Sequence, residues 1–236
     1  EFRRVLFRSL ERQIADNVAI SDEGLKNSWG EQVGRNMLNS YLNPDVRIRA
    51  RARAAGGSDA RMNGCPMAVV INSGSGNQGM TVSLPVIEYA GELNAGHEKL
   101  LRALALANLV ALHQKRYIGY LSAYCGAVSA AAGAACGICW LKGGNYRQIA
   151  ATLSNSIATV GGMACDGAKS SCAGKISIAV ETAIMAMEMA MNDHEYRYGE
   201  GLIKKDVEAT IEAVGRMARE GMKSTDVEIL NIMLED

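Results

Sequence analysis

Aromatic side chains are scarce, at 5% of the 236 residues, which removes the stacking platforms that single-stranded nucleic acid needs. Charge of one prevailing sign is also missing. The 25 basic and 25 acidic residues cancel, so no overall field draws the chain to nucleic acid or to anionic lipid. Only three histidines are present, His97, His113 and His194; surface or packing roles suit them, and no Ser-His-Asp order can be built from them. No secretory signal is visible. The opening Glu1-Phe-Arg-Arg-Val-Leu-Phe-Arg-Ser9 lacks an initiator Met and reads as the start of a fragment or a cloning junction. The run Leu121 to Leu141 is uncharged and long enough to span a bilayer. It consists mainly of Ala, Gly, Ser and Cys, and with so few large apolar residues it predicts a tightly packed buried helix rather than a membrane span. A cytoplasmic protein is expected.

What is present is helical periodicity nearly throughout. Glu98 to Tyr117 places Leu100, Leu101, Leu104, Leu106, Leu109, Val110 and Leu112 on a broad apolar surface. Leu121 to Cys139 predicts a small-residue helix, Tyr146 to Val160 and Lys175 to Asn192 two more, and Lys205 to Glu220 another with Asp206 near its start and Gly221 at its end. Strand signals are confined to Ala68–Ile71 and Met80–Val86. The fold class is mainly α, with residues 1–45 set apart as an uncertain N-terminal remnant and 46–236 as one compact helical domain. The alternating Arg47, Arg49, Arg51 and Arg53 read as a solvated face.

The most informative stretch is Ser73-Gly74-Ser75-Gly76-Asn77-Gln78-Gly79. Its glycines let backbone N–H groups come close to an anion, and its other side chains add donors and acceptors without charge. A small carboxylate or phosphate suits that chemistry; an ordinary turn suits it as well. Gly79 is followed by Met80 and Thr81, so the P-loop signature is absent. The spacing matches the dinucleotide fingerprint, without the acidic residue in a following strand.

Six cysteines, at 65, 125, 136, 139, 165 and 172, point in a cytosolic chain to metal binding or burial rather than disulfides. Cys136-Gly-Ile-Cys139 lies inside the small-residue helix and reads as two buried small hydrophobes. Cys165 and Cys172 flank a glycine-containing polar loop, and Cys125 precedes Gly126 at the start of the small-residue helix. Three thiolates from separate elements suit an iron–sulfur cluster with one iron left open, or a three-cysteine zinc site.

Several separated motifs then stand in order: Ser58-Asp-Ala-Arg-Met62, Asn63-Gly-Cys65-Pro66, Asn72-Ser-Gly-Ser-Gly-Asn-Gln-Gly79, Leu121-Ser-Ala-Tyr-Cys125-Gly126, Gly143-Gly-Asn145, Gly162-Met-Ala-Cys165-Asp-Gly-Ala-Lys169-Ser-Ser-Cys172 and Gly221-Met-Lys-Ser-Thr-Asp226. From about Ala50 to Met233 this pattern resembles the L-cysteine desulfidase family, which is related to the alpha chain of iron–sulfur L-serine dehydratases. The resemblance implies a helical catalytic domain of the serine dehydratase alpha-chain type. It implies a [4Fe-4S] enzyme, independent of pyridoxal phosphate, that converts L-cysteine to hydrogen sulfide, pyruvate and ammonia. The cluster ligands would be Cys125, Cys165 and Cys172.

On that footing the Ser73–Gly79 loop would hold the substrate carboxylate through its N–H groups and through Ser75 and Asn77. Lys169 or Lys115 would be the base, because burial lowers a lysine pKa, and Asp166 would orient the cluster loop. Cys65 would be a ligand, a catalytic thiol or a buried thiol beside Pro66. Family members are longer, so this chain would correspond to their C-terminal half to two-thirds, with a further cysteine in the N-terminal part. A small amino acid, the rest of the longer protein and a second copy are the expected partners; nucleic acid and membrane are not. The competing readings are L-serine dehydratase and a non-catalytic, metal-stabilised helical module.

Overall fold

A computed structural model describes residues 2–119 and 121–235. It contains ten α-helices: α1 (Phe2–Lys26), α2 (Val33–Asn39), α3 (Val46–Met62), α4 (Gly76–Glu92), α5 (His97–Ile118), α6 (Gly126–Leu141), α7 (Tyr146–Val160), α8 (Cys172–Met191), α9 (Val207–Arg216) and α10 (Lys223–Leu234). A π-helical turn, Met217–Gly221, joins the last two. The mainly α class is as the periodicity predicts. Among the described residues no helix is long and apolar enough to cross a membrane.

The small-residue helix is the axis of the fold. Every side chain of α6 from Ala127 to Cys139 is buried, and α4, α5, α7 and α8 pack around it. A Cβ on Gly133 would stand 2.5 Å from the Ala107 carbonyl oxygen, and one on Gly137 would stand 2.9 Å from that of Ala103. The backbones of α5 and α6 therefore touch, in an antiparallel register that runs from the middle of both helices towards Lys115 and Cys125. Cys136 and Cys139 sit in this core as small apolar groups. Burial pushes both thiols up from the ordinary cysteine range.

Three expectations are corrected. Met80–Val86 is helix, not strand, and lies in the middle of α4. Every residue from Gly79 to Val86 is buried, and a helix covered on all sides shows the continuous apolar run of a buried strand. Ala68–Ile71 is irregular, and the chain there forms only a bridge between Asn72 and Ser75. The arginines of α3 are not a solvated face. Arg47 and Arg51 reach Glu181 on α8 at 2.6 and 3.1 Å, while Arg49 and Arg53 reach Glu88 on α4 at 2.7 and 2.9 Å. Spacing by four residues puts each pair on one flank of the helix, with Ala50, Ala52, Ala54 and Ala55 buried between them. Residues 2–39, within the segment set apart at 1–45, form α1 and α2, which pack on α3, and Leu10 belongs to the main core.

Gly133→Val should lower stability by roughly 1–3 kcal/mol through overpacking, read as a lower urea midpoint with an unchanged slope. An unchanged midpoint would show that α5 and α6 separate without cost.

Candidate functional site

The glycine-rich stretch divides into two devices. Asn72 and Ser75 exchange backbone hydrogen bonds of 3.1 and 3.0 Å. Ser73 and Gly74, between them, have φ of 50° and 80°, as a two-residue primed turn requires. Glycine takes that conformation freely; Ser73 is held in it, its hydroxyl donating to Asn72 Oδ1 at 2.8 Å. Asn72 in turn donates to Asn108 Oδ1 at 2.9 Å and ties the turn to α5. The second device is the start of α4, where Ser75 is the N-cap and accepts from the Gln78 N–H. The first N–H groups of α4 have no acceptor within the helix.

Two further helices begin at the same place. Cys125 is the N-cap residue of α6 and Cys172 opens α8. The backbone pins the two cysteine-bearing segments together: the Cys125 N–H donates to Met163 O at 2.9 Å, and the Cys165 N–H to Ala123 O at 2.6 Å. Asp166 is ion-paired with Lys175 on α8. Burial works against its carboxylate, but the hydrogen bond and charge of Lys175 hold its pKa below the ordinary range. This ion pair fastens the Cys165–Cys172 loop to the helix that follows.

A cavity of ≈ 320 Å³ lies where these ends meet. Of the residues expected at a site, Ser73, Gly74, Ser75, Asn77, Gln78, Lys115, Cys125, Cys165 and Cys172 line it. Gly76 and Gly79 stand behind this wall, where they allow close packing. A Cβ on Gly79 would lie 1.9 Å from Val70 O. Lys169 is exposed and does not line the cavity. Cys65 belongs to a separate apolar cluster with Ile20, Met80 and Leu84. His97 and His113 meet Glu11 and Glu208 at 2.5 and 2.7 Å on the surface.

Sequence reasoning assigned no role to Arg61, Ser122 and Tyr124, which also line the cavity. Arg61 comes from the last turn of α3 and donates to Asn77 Oδ1 at 3.3 Å. The available signal was its place in the motif preceding Cys65. Tyr124 is fully buried, and its hydroxyl has no partner among the described residues. Burial, then the neighbouring Cys125, pushes this phenol well above its ordinary pKa.

The electrostatics favour negative charge. Three helix N-termini present partial positive charge to one space. Cys165 is pulled down to about 6 by the hydrogen bond from Cys125, by the Gly167 N–H and by the charge of Lys175, against the cost of burial. Cys125, the proton-holding partner of this coupled pair, is pushed up by the same interaction and by burial. Lys115 is buried, 3% exposed. Burial lowers its pKa, while Cys165 and Cys125 pull it partly back. Cys172 Sγ lies 3.5 Å from Gly167 O. Among the described residues no three His, Cys, Asp or Glu side chains are gathered as a site for a single metal ion.

Comparison with known proteins identifies the family. The family model described as serine dehydratase alpha chain matches residues 1–231. A UPF0597 protein of Lachnoclostridium phytofermentans is 55% identical over 225 residues, covering 95% of this chain and 54% of its own length. One of Desulfitobacterium hafniense is 53% identical over 225 residues, covering 95% and 52%. A third, from Finegoldia magna, is 48% identical over 226 residues, covering 96% and 54%. The chain thus spans about half the length of the curated relatives it matches. No solved structure matches it. With a family model covering nearly its whole length, the chain belongs to the serine dehydratase alpha chain family.

Proposed function

We propose that this chain is the cluster-binding catalytic part of an iron–sulfur-dependent lyase, free of pyridoxal phosphate, that cleaves L-cysteine to hydrogen sulfide, pyruvate and ammonia in the cytoplasm. One observation carries the reading: three thiols from separate elements, a buried lysine and the amide ends of three helices face a single cavity. The family supports a lyase of the serine dehydratase type; the choice of L-cysteine rests on the motif resemblance.

The residues fit a [4Fe-4S] group. A cubane takes its thiolates one per iron, so three cysteines spread around a cavity suit it better than they suit one zinc ion. Cys125, Cys165 and Cys172 would hold it, leaving one iron without a protein ligand. When bound, the cluster supplies a Lewis acid to the leaving sulfur.

The chain's own groups supply the rest. The start of α4 orients the substrate carboxylate through its free N–H groups, with Ser75 and Asn77 beside them. Lys115 Nζ, rather than that of the exposed Lys169, removes the Cα proton, since burial favours its neutral form. The electron pair left on Cα becomes the Cα–Cβ double bond as the Cβ–S bond breaks and sulfur departs as sulfide. The resulting aminoacrylate tautomerises to an imine, which water hydrolyses to pyruvate and ammonia. The rest of the longer protein is the partner needed for turnover.

L-Serine, with hydroxide as the leaving group, is the second reading, favoured by the description of the family. Pyruvate release by the full-length, anaerobically purified protein should be faster from L-cysteine than from L-serine; the reverse order would make it a serine dehydratase. About four irons and four sulfides per chain are expected, and Cys172→Ala should abolish the cluster's visible absorption. Zinc alone would point to a structural module. Lys115→Met should keep the iron and lower kcat by about 10²–10⁴-fold; an unchanged kcat would remove Lys115 as the base.

A further inference from the structure

Helix α3 carries five arginines, and four of them meet carboxylates: Arg47, Arg49, Arg51 and Arg53. Arg61 differs. Among the described residues its guanidinium meets no carboxylate; it donates to Asn77 Oδ1 at 3.3 Å and lies 3.9 Å from Met62 Sδ. It is also the arginine that lines the cavity. A half-buried guanidinium that no carboxylate of the described residues neutralises, set beside the N-terminus of α4, has the chemistry to receive an anion.

The neighbouring glycine reinforces this. A Cβ on Gly76, the first residue of α4, would stand 2.5 Å from Arg61 Nε and 3.0 Å from its Cδ. Any side chain at position 76 would compete for the space the arginine occupies. The residue type at 76 thus keeps the guanidinium stretched across the helix end, and Asn77 fixes its direction.

We propose that Arg61 binds the α-carboxylate of the substrate, and that the pair Arg61–Gly76 restricts the site to free amino acids, excluding amides and peptides. This rests on the reading of the cavity as the substrate site. Charge makes the selection: a carboxylate accepts from the guanidinium and from the N–H groups of α4 together, whereas an amide brings no charge and places donors against donors.

The test uses the full-length, cluster-loaded protein. Arg61→Gln should raise KM for L-cysteine by about 10²-fold with kcat and iron content little changed, the signature of lost ground-state binding. It should also remove the preference for L-cysteine over L-cysteinamide. Arg61→Lys should recover part of both, and Gly76→Ala should reproduce the loss by moving the guanidinium. A preserved acid-over-amide preference in Arg61→Gln would overturn the proposal and leave the lyase reading standing. Should the wild-type protein turn over neither compound, calorimetric binding of L-alanine against L-alaninamide decides the matter. Binding of the acid that is lost in Arg61→Gln would support the carboxylate site without the lyase. Equal binding by wild type and variant would overturn it.

Discussion

The backbone contact between α5 and α6 governs the rest of the molecule. With glycine at 133 and 137 against the carbonyls of Ala107 and Ala103, the two helices pack closer there than a Cβ would allow. Their antiparallel register carries Lys115, near the end of α5, to the level of Cys125 at the start of α6. Lys115 is thereby buried beside two thiols, although no local feature of its own helix sets it apart. Helices α4, α7 and α8 then close around α6, and the loops joining them gather at one end. Residues far apart in the chain become neighbours because of two positions that lack a side chain.

At that end the fold concentrates unsatisfied N–H groups instead of scattering them. α4, α6 and α8 all begin there, with Ser75 and Cys125 as N-cap residues and Cys172 as the first residue of α8. A helix start attracts anions modestly; three together, with Arg61 beside them, create a site that is cationic in character within a chain of zero net charge. Thiolates and a carboxylate are the natural occupants. Such a local field leaves no trace in composition, because it arises from the direction of peptide groups rather than from ionised side chains.

Much of the fold was legible. Tyr146–Val160 was bounded by Asn145, which forms a capping box with Gln148, and by Gly161, and both ends match the structure. Asp206 caps α9 as its position predicts. The small-residue helix was read as buried from its lack of large apolar groups. Legibility failed where burial is complete on all sides, as in α4, since an apolar run then has no period to read. It failed again for the α3 arginines, whose carboxylate partners lie on helices 31 or more residues away. At the site, the cysteines and the glycine loop could be picked out by their neighbours in the chain. Arg61 stood in the motif preceding Cys65 but could not be told from the other arginines of α3, because what sets it apart is the absence of an acid opposite it among the described residues, a property of the packed structure.

The composition of α6 has a further consequence for how the site responds to change. Alanine and glycine give up no rotamer freedom on burial, so the central helix is immobilised at little side-chain entropic cost. The cavity end it carries starts out already ordered. The same economy limits adjustment: from Gly126 to Gly137 the helix has no side chain longer than valine to rotate aside when a neighbour grows. Enlargements along α6 must be met by moving whole helices, and a shift of α5 or α4 carries Lys115 or the Ser75–Gln78 turn with it. The interior is thus mechanically stiff, and packing and active geometry cannot be varied independently.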